Sequence, residues 1–119
     1  MKRINCYVFV KQIKRGKVII DDLIKEYKEN GINVVSVKNN YTDVLFDNGE
    51  RWLIFIVGSY CKGFRWQKAI IDRHPVYGIN STMEIRFIVS MIKDKYSIWK
   101  YYDNILLDDY LENRKEEYE

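Results

Sequence analysis

The sequence predicts an α/β fold, with α+β as the neighbouring class: one small sheet of about five strands with a hairpin, flanked by two or three helices. Three observations carry this. Ile4 to Val10 is a near-continuous apolar run rich in β-formers. A segment of helical spacing and a second β-rich run follow it, the order of a strand–helix–strand crossover, which is right-handed as a rule. Asn48-Gly49 then separates two further β-rich runs, the strongest short-range signal for a hairpin.

In order along the chain, Tyr7, Val8, Phe9 and Val10 centre the first strand. The stretch Lys11-Gln12-Ile13-Lys14-Arg15-Gly16-Lys17 reads as a basic turn. From Val18 to Asn30, Ile20, Leu23, Ile24 and Tyr27 fall at i, i+3, i+4 and i+7, with charges around the other face. Gly31 is a helix stop. Ile32 to Lys38 reads as the second strand and Asn39-Asn40 as a turn. Tyr41 to Phe46 and Arg51 to Val57 form the hairpin arms. Lys68 to Asp72 is the last strand, after which His74-Pro75 draws the chain out extended. Ser81-Thr82-Met83-Glu84 fits a capping box, and Ile85, Ile88, Val89 and Ile92 continue at helical spacing, so a largely buried helix is expected. A strand over Glu84 to Ser90 is the competing reading. Trp99, Tyr102, Leu106 and Tyr110 share a stripe, which predicts a C-terminal helix over 97–114. One proline and no repeats or linkers predict a single domain over 1–119.

The composition, 47% hydrophobic and 31% charged, is that of a soluble globular chain. The net charge of +3 is uneven. From Tyr96 onward, Lys100, Arg114 and Lys115 face seven acids, a net −4, which leaves +7 on the rest. Such a body suits a polyanion or a partner of mixed charge. Cys6, Cys61 and His74 have no zinc-ligand spacing. Free thiols, no apolar run of membrane length and no signal-peptide pattern predict a cytoplasmic protein that meets no membrane.

The centre of the chain carries the chemistry. The hairpin Phe46-Asp47-Asn48-Gly49-Glu50-Arg51-Trp52 precedes a basic, Gly-containing loop, Lys62-Gly63-Phe64-Arg65. The strand Ala69-Ile70-Ile71-Asp72 then ends in an acid. This order resembles the ATP-binding core of P-loop ATPases, the large subunit of phage terminases above all, and small phage proteins of similar outline. The resemblance covers Ile4 to Asp72. It implies that the strand of Asp72 lies beside the turn at Gly16. The departures imply lost chemistry. Lys11 stands where a phosphate loop has its first glycine, and Val18 where it has the hydroxyl that holds Mg²⁺. Arg73 stands where a second acid would orient water.

Lys14, Arg15 and Lys17 are expected either to hold a phosphate at a helix N-terminus or to be a solvated basic turn. Tyr60, Lys62, Phe64, Arg65, Trp66, Lys68 and Arg73 interleave rings with cations, as single-strand binding surfaces do. The other reading has the rings plug the sheet edge while the cations stay wet. Asp43, Asp47, Glu50 and Asp72 are candidate nuclease ligands, although Asp47 and Glu50 flank a turn and are expected in solvent. Asp72 is a metal ligand only if the chain is an enzyme, and His74 reads as structural.

The leading expectation is a non-enzymatic binding protein of a phage or mobile element, without cofactor. It would inhibit a host defence complex in the manner of an anti-CRISPR, by occluding a host protein or protein–nucleic-acid complex. The alternatives are a nucleic-acid-binding accessory protein using the basic aromatic loop, and a Mg²⁺-dependent nucleotide hydrolase or nuclease.

Overall fold

A computed structural model describes residues 3–58, 65–93 and 97–102. The elements are β1 (Ile4–Val10), α1 (Ile13–Glu29), β2 (Val34–Lys38), β3 (Asp43–Phe46), β4 (Glu50–Ile56), β5 (Lys68–Asp72), α2 (Thr82–Ser90) and β6 (Ile98–Tyr102). The expected α/β class is observed, with six strands in one sheet of order β2-β3-β4-β1-β5-β6. β1 runs parallel to both β4 and β5, and β6 is parallel to β5. β2, β3 and β4 form an antiparallel meander turning at Asn39–Tyr41 and at Asn48-Gly49.

The apolar runs of β1 and β5 follow from burial on both faces. One face packs under α1, where Cys6, Val8, Val10, Val44, Phe46, Trp52 and Ile70 meet Ile19, Ile20 and Leu23. The other packs against α2, where Tyr7, Phe9, Ala69 and Ile71 meet Ile79, Ile88, Met91 and Trp66. Both helices run back from the carboxyl ends of the parallel strands, so both N-termini lie at that edge. No helix among the described residues is long and apolar enough to cross a membrane.

Four expectations are corrected. The basic turn is not a turn: α1 begins at Ile13 rather than Val18, after Gln12 as an extended N-cap. The cause is Arg15, whose side chain is anchored inside the protein. The expected C-terminal helix is replaced over Ile98–Tyr102 by β6, while 103–114 lies outside the described residues. Ile98-Trp99-Lys100-Tyr101-Tyr102 is β-branched and aromatic, and the flank of β5 offers it a ladder, so pairing overrides helical spacing. α2 is a helix, yet Ile88 is its one fully buried residue, and Met83 and Phe87 are exposed. Its N-cap Ser81 makes no side-chain capping bond, and Glu84 pairs instead with Lys11 at 3.2 Å. Finally, the chain after His74 does not run out extended but folds into a turn over residues 75–77.

Candidate functional site

In open sheets of this kind ligands bind outside the carboxyl ends of the strands, where the connections diverge to either side. Here that point is the end of β1, from which α1 leads towards β2 while β5 lies on the other flank. The strand bearing Asp72 does lie next to β1, and Asp72 sits beside the start of α1.

The chemistry at that point differs from both readings of Lys14, Arg15 and Lys17. Arg15 and Asp72 are each fully buried. The Arg15 Nε donates to Asp72 Oδ2 at 2.8 Å and its Nη2 to Oδ1 at 2.6 Å. The backbone N–H of His74 adds a third donor to Oδ1 at 3.2 Å. The fork geometry explains why arginine fits here and lysine would not. Gly16 follows because α1 must approach the sheet closely: a Cβ there would lie 2.5 Å from Ile54 Cγ2.

This arrangement does not fit a magnesium–phosphate site. Mg²⁺ keeps several waters and takes an accessible carboxylate, whereas both Asp72 oxygens are committed to internal donors. The N–H groups of Arg15 and Gly16 donate to the Gln12 carbonyl at 3.1 and 3.4 Å, so they do not form a phosphate cradle. Lys14 and Lys17 are half-buried on α1, with the Lys14 ammonium 5.8 Å from the Tyr77 ring.

The segment after Asp72 is tightly built. His74 Nδ1 accepts the N–H groups of Val76 at 3.1 Å and Tyr77 at 3.0 Å, which ties the ring to the turn. The ring stacks on Tyr77, with centroids 4.8 Å apart. The expected structural role of His74 is what the contacts describe. Arg73 leaves the strand on the other side and lies 4.7 Å from the Tyr101 ring.

The described members of the basic aromatic set, Arg65, Trp66, Lys68 and Arg73, do not share one surface. Tyr60, Lys62 and Phe64 lie outside the described residues. Arg65 is exposed, but Trp66 is 1% exposed and donates its indole N–H to the Ile88 carbonyl at 2.7 Å. It is a core ring beneath α2 and is not available to stack on a base. Lys68 begins β5 at the amino edge, opposite the edge that carries Arg73, and its Nζ is tied to Glu50 at 2.8 Å. The described ones among the predicted binding residues are thus split between two ends of the sheet.

The candidate nuclease acids are likewise apart, each buried one with its own cation. Asp43 pairs with Arg51 through both oxygens, at 3.0 and 2.7 Å, and Asp72 pairs with Arg15. Glu50, expected in solvent, is 3% exposed. It accepts Tyr27 Oη at 2.5 Å, Trp52 Nε1 at 2.9 Å, Asn48 Nδ2 at 2.8 Å and Lys68 Nζ at 2.8 Å. Only Asp47 is exposed, as expected. Among the described residues no group of three or more His, Cys, Asp or Glu is gathered for a metal.

Burial pushes the Glu50 carboxyl up, but the hydrogen bonds from Lys68, Tyr27 and Trp52 outweigh it and hold it below its ordinary 4.5. The same surroundings raise the hydroxyl of Tyr27, by burial first and the Glu50 carboxylate second. Burial likewise raises the Cys6 thiol, which makes it unreactive. A depressed carboxyl contributes stability that is present above its unfolded value and lost as pH falls through the folded one. Glu50→Gln is therefore expected to cost about 2 kcal/mol at pH 7. It should also flatten the loss of stability below pH 4.5, read by urea denaturation across that range.

Sequence reasoning missed Tyr77 and Tyr101 as companions of the cations, because only the turn and the register of β6 bring them there. It also missed Glu50 as a network centre, since a residue flanking a turn gives no sign of what the opposite helix supplies. No protein family's sequence profile, no curated protein and no solved structure matches this chain.

Proposed function

We propose that this chain is a non-enzymatic binding protein that acts by occlusion, as a phage or mobile-element inhibitor of a host defence complex would. The observation that supports this reading is the buried Arg15–Asp72 pair. A hydrolase keeps its carboxylate accessible to metal and water. Here the carboxylate at the divergence of the sheet is sealed by a guanidinium from the same chain. Around it lie the groups of a contact surface: Lys14 with Tyr77, and Arg73 with Tyr101. Rings beside cations suit an acidic protein face or a nucleic acid held within a complex.

The test is a thermal-shift plate with ATP–Mg²⁺, ADP, single-stranded DNA and duplex DNA, paired with capture of partners from host lysate. The expected outcome is no shift with nucleotide and a stoichiometric host component that Arg73→Glu releases. Magnesium-dependent turnover that Asp72→Asn abolishes would overturn the reading. A second reading, binding of nucleic acid alone, is favoured by the same ring–cation pairs. It requires salt-dependent binding of single-stranded DNA, weakened by Arg73→Glu, in a polarisation titration.

A further inference from the structure

The sheet ends at β6 among the described residues. The Ile98 N–H donates to the Gln67 carbonyl at 2.9 Å, and the Tyr102 carbonyl accepts from Arg73 at 3.0 Å. Backbone groups alternate direction along a strand, so those of Trp99 and Tyr101 face away from β5. An outer strand of this kind is a template for another chain. Its side chains are unusually apolar for an edge: Ile98 is 58% exposed and Trp99 40%. Beside it, between α1 and β5–β6, runs a groove of about 240 Å³, floored by Trp52 and Ile70 and walled by Leu23, Ile98 and Trp99. That volume is below the range of small-molecule pockets and is that of one or two large side chains.

From this we infer that β6 is a docking edge for an extended segment of a partner protein, in which apolar residues alternate with acids. The segment adds as a further strand, bonding to the outward groups of Trp99 and Tyr101. One apolar side chain crosses Ile98 into the groove. Charge selects this occupant. Lys68 and Lys100 line the groove against one acid, Glu26; Lys100 stands at the centre of the strand, Arg73 lies beyond its carboxyl end, and β6 itself carries no acid. A second copy pairing edge to edge about its centre would set Lys100 against Lys100, and like charges directly opposite are unfavourable. An acid opposite Lys100 converts that penalty into attraction. This surface shares Arg73 and Tyr101 with the contact surface proposed above, is separate from the Lys14–Tyr77 pair, and does not depend on the absence of catalysis.

The test uses the full chain and a short fluorescent peptide alternating aspartate with valine and phenylalanine. Saturable binding is expected, about tenfold weaker with Lys100→Glu, intermediate with Lys100→Gln, and weaker at raised salt. The amides of Trp99 and Tyr101 should gain hydrogen-exchange protection only when the peptide is present. Absence of binding, or binding that Lys100→Glu leaves unchanged, overturns the proposal. So does protection of those amides in dilute free protein, which would assign the edge to the chain's own residues 103–119. Protection that grows with protein concentration alongside a dimer mass overturns it in favour of a second copy.

Discussion

Replacing Arg15 with methionine is expected to lower the free energy of unfolding by about 3–5 kcal/mol, a large part of what holds a domain of this size together. The variant leaves the Asp72 carboxylate fully buried without the guanidinium that neutralises it, although the His74 N–H still donates to it. The penalty is that of an uncompensated charge, and it exceeds the worth of the ion pair itself. The double variant Arg15→Met with Asp72→Leu removes both charges together. It is therefore expected to recover most of the loss, since buried pairs are often replaceable by apolar residues of similar volume. Urea denaturation of the two single variants and the double one closes the cycle. If Arg15→Met proved as stable as the parent, Asp72 would be reaching water, and the sealed site on which the functional reading rests would be open.

Gly78→Ala is the second substitution with a large expected effect. A β-carbon at this position would fall against the His74 backbone nitrogen, and 2.7 Å from the carbonyl oxygens of Asp72 and His74. These are backbone atoms and cannot swing aside as a side chain would. The same oxygens accept the hydrogen bonds that close the turn, from Ile79 N–H to Asp72 at 2.7 Å and from Gly78 N–H to His74 at 2.9 Å. Relief of the clash must therefore break the turn that seats Ile79, which is fully buried beneath α2. A loss of about 3 kcal/mol or more is expected, at the upper end for overpacking, read as a lower melting temperature. By contrast, the atoms facing Gly16 belong to the Ile54 side chain. Gly16→Ala paired with Ile54→Ala, which removes all three of those atoms, is expected to be tolerated far better.

Where local pattern and tertiary environment agreed, the sequence was readable. β1 and β5 were found to the residue, because a short apolar run bounded by charged residues admits little else. The Asn48-Gly49 hairpin was equally plain. The failures share one cause. Arg15 looked like part of a wet turn because nothing near it in the chain reveals that Asp72 waits across the fold. Trp66 looked like an interface ring because its neighbours are cations, while the carbonyl that holds its indole comes from Ile88. Ile98–Tyr102 carried helical spacing and β-rich composition together, and the open side of β5 decided between them. A sequence shows which residues are able to pair, whereas the partner across the fold decides which of them are buried. Asp72 was singled out from its place at the end of an apolar strand, and that placement held; its saturation by an internal cation was not legible.

The position of β1 in the sheet bears on how the molecule assembles. β1 precedes every other described strand in the chain yet lies inside the sheet, and its neighbours are β4 and β5, with Ile4 set against Glu50 and Cys6 against Lys68. Neither ladder can close until much of the chain has been made. The β2-β3-β4 meander needs only local turns and is able to form first, offering a ready edge on which β1 lands. Contacts so distant in sequence make for slow, late-committing assembly. Until they form, the most hydrophobic strand of the protein is exposed to whatever else in the cell is able to capture it.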